Sequence, residues 1–199
     1  MKISRILLWN CLWGLFYFGT NNLALFPAYE LPFLPGEEGL GFNEWWMFPY
    51  LSWFAYNIIF CLSIRSGAKD FVRLMTVFVV IHALIFVFFP IELPRTYDPE
   101  RLSRFSRLVL SGDQPRNCCP SLHVSFVVLT LLLAPYLGIS RRLIIIFSLW
   151  GSLIIVSVLF VRQHYFLDIL ASIALSSLGI YFFLLGKLKL STSNKADNE

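Results

Sequence analysis

Two histidines stand where an otherwise apolar chain offers few reactive groups. Pro120-Ser121-Leu122-His123 is followed, 41 residues later from histidine to histidine, by His164-Tyr165-Phe166-Leu167-Asp168. The chain has three histidines, and each of these two opens a long apolar run. An ionisable side chain at the end of a membrane helix is a functional hypothesis by default. Two histidines, an aspartate and nearby arginines suit chemistry on a phosphate.

The spacings assign roles. His164 and Asp168 are four apart, so on a helix they share a face. The carboxylate can accept a hydrogen bond from one ring nitrogen and fix the tautomer, leaving the other nitrogen basic and aimed outward. That is the orienter-plus-nucleophile logic of catalytic triads, with histidine itself as nucleophile. Pro120 suits a helix start because its missing N–H is not needed there, and Ser121 is a good N-cap. The helix N-terminus then offers free N–H groups and a positive dipole end to an anion. His123 lies in that first turn, placed to act as general acid for a leaving oxygen. Arg95, Arg116 and Arg162 are the candidates for neutralising a transferring phosphoryl group, because the guanidinium fork matches phosphate oxygens. His82, midway along an apolar run with no partner nearby in sequence, reads as a structural residue.

These residues need a scaffold, and composition says which kind. The 199 residues are 57% hydrophobic and 17% aromatic, with mean hydropathy +0.69 and only 14% charged. A soluble domain typically carries about 25% charged residues. The apolar excess falls into runs of roughly 20 residues, the length that crosses a bilayer. Six spans are expected, at about 6–26, 45–64, 71–89, 121–137, 143–161 and 165–185. The reading is an all-α, integral membrane six-helix bundle over 1–186, with a polar, disordered cytoplasmic tail over 187–199. The N-terminal run lacks a small-residue cleavage site and is kept as the first helix. Net charge is +4 without a Lys-rich tract, which argues against nucleic acid as a partner. Cys11 and Cys61 read as packing residues, and the adjacent Cys118 and Cys119 as two thiols at a helix entrance.

Basic residues in short loops orient the bundle. With the N-terminus in the cytoplasm, ten of the 16 Lys and Arg residues fall on the cytoplasmic side and six outside. Both termini are then inside. The loop from Pro90 to Pro120 breaks the rule, with Arg95, Arg101, Arg104, Arg107 and Arg116 on the outer face. An amphipathic helix at about 99–110 with solvated charges accounts for Arg101, Arg104 and Arg107. Parity brings the end of the third span, the start of the fourth and the start of the sixth to that same face. Arg95, His123 and His164 therefore converge on one side of the membrane.

The motifs resemble those of the type 2 phosphatidic acid phosphatase superfamily of lipid phosphatases and phosphotransferases. That family carries a Lys/Arg element ending in Arg-Pro, a Pro-Ser-Gly-His element, and a Ser-Arg, five residues, His, three residues, Asp element. Pro120-Ser121-Leu122-His123 matches the second with Leu for Gly. Ser157-Val158, His164 and Asp168 match the third, with Val158 in place of Arg. Pro94-Arg95 stands where the first belongs, in reversed order. The resemblance covers roughly 90–171 and implies a six-helix bundle, no metal or other cofactor, His164 as phosphohistidine nucleophile and His123 as general acid. Arg162 is then the substitute for the arginine absent at Val158. The wording of the second and third motifs is closer to the inositol phosphorylceramide synthase and sphingomyelin synthase-like branch, whose members move a phospho-headgroup between lipids.

The expectation is a multi-pass membrane lipid phosphotransferase working at the extracytoplasmic face on a phospholipid or lipid phosphate in the bilayer. His164, His123 and Asp168 are its catalytic residues, and Arg95, Arg116, Ser121 and Arg162 hold the phosphate. Hydrolysis of a lipid phosphate or polyprenyl diphosphate by the same route is the alternative. A transporter or scaffold is a weaker one, because transporters place polar residues at the midplane rather than at one face. Lipid identity, acceptor and oligomeric state are not written in the sequence.

Overall fold

The structure is a computed structural model describing residues 3–196 apart from Ala24, Arg95, Thr96, Pro99, Arg101 and Gln114, with the side chains of 3–7 and 188–196 also outside the described set. The chain is mostly helical: α1 (Ile3–Asn21), α2 (Met47–Leu51), α3 (Trp53–Ser63), α4 (Ala68–Phe88), α5 (Arg104–Ser111), α6 (Leu122–Leu133), α7 (Arg141–Phe160) and α8 (Phe166–Ala196). A 3-10 turn at Glu44–Trp46 leads into α2. Among the described residues, three helical stretches are long and apolar enough to cross a membrane: Ala68–Phe88, Arg141–Phe160 and Phe166–Lys187. Leu15, Phe54, Leu84, Leu149 and Phe182 remain exposed, as side chains facing lipid rather than water would.

Helical segments fall near each expected span, with four departures. The second is split at Ser52, whose hydroxyl bonds the Pro49 carbonyl at 2.6 Å. The fourth ends at Leu133 rather than 137: Pro135 has no N–H to give to the Leu131 carbonyl, which instead receives the Ala134 N–H at 3.3 Å. The last runs to Ala196, so the segment expected to be a disordered tail is helical there. No Gly or Pro follows Gly186 to stop it. The fold is also not purely helical: Tyr29–Glu30 pairs in parallel with Ile91–Glu92, and Ile91 bridges to Asn117. This small ladder ties the first long loop to the third. The amphipathic helix of the third loop is α5, capped by the Ser103 hydroxyl accepting the Ser106 N–H at 3.2 Å.

The core is aromatic. Tyr56 and Phe60 of α3 pack on Phe71 of α4 and Phe147 of α7. Helix approach is set by small residues, the usual device where lipid removes the hydrophobic drive between helices. Ser172 and Ser176, one turn apart on α8, donate to the carbonyls of Ser121 and Ser125 at the start of α6, each at 3.1 Å. Those bonds fix the depth of α6 against α8, and hence of His123 against Asp168. Gly179, a turn further on, lies flush against the Phe78 ring of α4, with no room for a Cβ. Gly179→Ala is expected to cost about 1–3 kcal/mol by overpacking, read as a lowered thermal midpoint of the detergent-solubilised protein.

Candidate active site

The site is assembled around the turn between α7 and α8. Helix α7 ends in a Schellman motif: the Arg162 N–H bonds the Leu159 carbonyl at 3.1 Å and the Gln163 N–H bonds the Val158 carbonyl at 3.1 Å. Arg162 holds the left-handed position with φ 54°, where glycine is the usual choice. Such strain costs on the order of 1–3 kcal/mol and persists where the surroundings over-determine it. Here the surroundings are the guanidinium's own partners. Arg162 is buried, donates to the Glu37 carbonyl at 3.0 Å and to the Tyr165 hydroxyl at 3.2 Å, and lies 4.5 Å above the Tyr165 ring.

Glu37 comes from the first long loop, delivered by a turn. Pro35-Gly36, with Gly36 at φ 91° and the Glu37 N–H bonded to the Leu34 carbonyl at 3.0 Å, has the signature of a type II turn. The buried Glu37 carboxylate accepts the Leu34 N–H at 2.6 Å through one oxygen and the Phe166 N–H through the other. Phe166 is the first residue of α8, so a carboxylate from 129 residues earlier caps that helix. Asp168 caps it from within. Its Oδ2 accepts the Tyr165 N–H at 2.9 Å, the reach-back half of a capping box. Two carboxylates thus sit at the positive end of α8.

Oδ2 of Asp168 also lies 3.3 Å from Nδ1 of His164. The closer partner of Nδ1 is the Cys118 carbonyl, at 2.8 Å. Both partners are acceptors, so Nδ1 carries the proton and Nε2 keeps its lone pair. The Cys118 carbonyl, on the approach to α6, therefore does most of the aiming, with the carboxylate behind it. Asp168 is fully buried, and its Oδ1 has no partner among the described residues.

His123 stands opposite, its ring centroid 6.2 Å from that of His164. Tyr50 of α2 stacks on it at 4.7 Å and Trp53 of α3 packs at 4.8 Å, so the broken second helical segment grips the imidazole from the far side. Ser121 caps α6, its hydroxyl accepting the Val124 N–H at 3.4 Å. Arg116, on the approach to α6, pairs with Glu92 at 2.9 Å and donates to the Phe26 carbonyl at 2.9 Å. Arg95 lies outside the described residues. Its neighbour Pro94 accepts the Tyr165 hydroxyl at 2.5 Å, so the chain reaches the site immediately before it. Val158, where the motif has arginine, is buried and apolar, against Val124 and Ile169. His82 is buried away from this cluster, bonded to the Phe78 carbonyl at 2.8 Å and the Ser125 hydroxyl at 3.0 Å.

Cys119 is a further candidate nucleophile. Burial, assisted by the charge of Asp168, pushes its thiol up to about 12, so it stays protonated and is a poor attacking group. Among the described residues no group of three or more His, Cys, Asp or Glu side chains could hold a metal ion. Sequence reasoning missed Glu37, the Cys118 carbonyl and the two aromatic walls of His123. Only Glu37 left a signal: an acid directly after Pro-Gly in a loop with no Lys or Arg.

A family model described as the PAP2 superfamily matches residues 44–182, a stretch holding both histidine motifs and all of the turn just described except the Glu37 loop. No curated protein and no solved structure gives a significant match. Because Glu37 caps α8 from a buried position, Glu37→Ala is expected to destabilise the protein by about 1–3 kcal/mol. Glu37→Gln, which keeps an acceptor oxygen, should lose less, and thermal unfolding of the two variants side by side checks the order.

Proposed function

The chain belongs to the PAP2 superfamily, and from that premise we propose that it is a membrane lipid phosphotransferase working through a phosphohistidine on His164. Membership supports lipid phosphatase or phosphotransferase activity in general, and the apolar helices support a membrane setting. The observation that carries the finer reading is the His164 ring: Nδ1 is committed to the Cys118 carbonyl and Asp168, and its opposite edge is left to react beside His123.

In the first step Nε2 of His164 attacks phosphorus. The N–P bond forms as the P–O bond to the leaving alcohol breaks, and protonated His123 gives its proton to the departing oxygen. Positive charge growing on His164 is offset by Asp168. In the second step His123 takes the proton of an incoming hydroxyl, the O–P bond forms, and the N–P bond breaks to restore His164. Arg95 and Arg116 are proposed to face the phosphoryl oxygens, with the positive end of α6 at Ser121 and the charge of buried Arg162 acting from behind the turn. The site is proposed to open at the extracytoplasmic face, with both termini in the cytoplasm, following the loop-charge count.

His164→Ala is expected to abolish turnover by at least about 10³-fold and to remove the acid-labile phosphoenzyme that a labelled lipid phosphate leaves on the wild-type protein. Full activity in folded His164→Ala protein sinks the reading. His123→Ala should cost roughly 10²–10⁴-fold with an alkyl phosphate and much less with p-nitrophenyl phosphate, whose leaving group needs little protonation. Lipid mass spectrometry of products then separates the two fates of the intermediate: a new phospholipid marks transfer, and free phosphate alone marks hydrolysis.

A further inference from the structure

A cavity of about 210 Å³ opens beside His123. Trp13, Gly14, Tyr17 and Phe18 of α1 form one wall, and Tyr50, Trp53, Phe54 and Val109 face them. His123 is part of the lining and His164 is not. Most of the wall is aromatic or aliphatic. Its polar side chains include Asn10 and the acid Asp113, whose Oδ1 accepts the Tyr17 hydroxyl at 2.9 Å and the Asn21 side-chain amide at 2.7 Å. Helix α1 lies outside the segment that matches the family model, so this wall belongs to the chain and not to the family pattern.

Resting on the phosphohistidine reading above, we propose that this cavity is the slot for the alcohol half of the reaction: the hydrocarbon of the leaving lipid alcohol first, and that of the accepting alcohol second. Three observations converge. Displacement at phosphorus is roughly in line, so the departing oxygen lies on the side away from His164, which is the His123 side. The second step runs back along the same line, so the acceptor must enter where the first alcohol left. Charge sorts the two halves of the substrate. The carboxylate of Asp113 disfavours an anionic phosphoryl group in the cavity, but it suits a neutral lipid alcohol with a hydroxyl or amide N–H near its reactive oxygen. The phosphoryl group is left to the arginine side. An apolar lining then supplies affinity in proportion to chain length.

Gly14 makes the slot testable. Gly14 is part of the lining, and a Cβ added there meets nothing within 4 Å, so this position can carry a side chain at the cavity wall. The assay compares kcat/KM for phosphate release from dodecyl phosphate and from butyl phosphate, using purified full-length protein in detergent. Wild-type protein should favour the dodecyl ester, and Gly14→Phe should lower the dodecyl-to-butyl ratio at least about tenfold. Val109→Trp fills the slot from the opposite wall and should do the same, which decides the matter if Gly14→Phe does not fold. Asp113→Asn should reduce the preference for an acceptor bearing an amide N–H beside its hydroxyl over a plain fatty alcohol of equal length. An unchanged chain-length ratio in folded, active variants overturns the slot and leaves the phosphohistidine reading standing. A wild-type protein that forms no phosphoenzyme with either ester overturns that reading, and the slot with it.

Discussion

Burying ions at the α7–α8 turn is the constraint on which the rest of the structure depends. Arg162, Glu37 and Asp168 lie within a few residues or one hydrogen bond of each other, and all are buried. A buried ion carries a desolvation penalty of several kcal/mol unless hydrogen bonds and opposite charge replace water. The turn meets that demand with backbone groups. The Glu37 carbonyl accepts from the guanidinium, and the N–H groups that α8 leaves unpaired donate to the two carboxylates. These groups come from two segments far apart in sequence, so the turn is satisfied only when the first loop has folded over it. The left-handed φ at Arg162 is offset by the same contacts.

This arrangement bears directly on His164. Asp168 has two tasks, capping α8 and standing behind the imidazole, and one oxygen serves both. The carboxylate is therefore held by the helix and cannot swing to meet the ring. The ring's stronger bond goes to the Cys118 carbonyl, which is held in turn by the Cys118 N–H bonding the Ile91 carbonyl at 3.3 Å. Along this path the parallel ladder, the approach to α6 and the α8 cap all fix one nitrogen. The serine pairs between α6 and α8 fix the other histidine's height. Precision at the centre thus comes from short polar contacts between helix ends, where an apolar bundle alone would leave helices free to slide.

Local chemistry was legible in the sequence, and tertiary bookkeeping was not. The cap at Ser121 and the apolar runs are properties of neighbouring residues, and each has its counterpart in the fold; His164 and Asp168 also meet, but across the start of α8, because His164 precedes the helix, and not along one helical face. The Cys118 carbonyl is invisible to sequence because every residue has one. Glu37 resembled three other loop acids, and only folding singles it out. Arg162 was read as a phosphate ligand from its nearness to His164, but its position in a Schellman turn sends two of its N–H donors to Glu37 and Tyr165. The early end of α6 was legible in Pro135, while the short ladder at Tyr29–Glu30 depends on a partner strand far along the chain.

The balance between transfer and hydrolysis turns on the same geometry. On the proposed route, a phosphohistidine on His164 would be attacked by whatever oxygen stands in line beside His123. Water is abundant, so an alcohol prevails only by residence: a hydroxyl held in place gains the effective concentration of an intramolecular reactant. The proposed apolar slot reaching His123 would provide that residence in two ways. It would retain the hydrocarbon between steps and leave water few polar partners there besides Asn10, Tyr17, Asp113 and His123. The wall contributed by α1 is thus the part of this chain best placed to set the outcome, although both histidines lie in other helices.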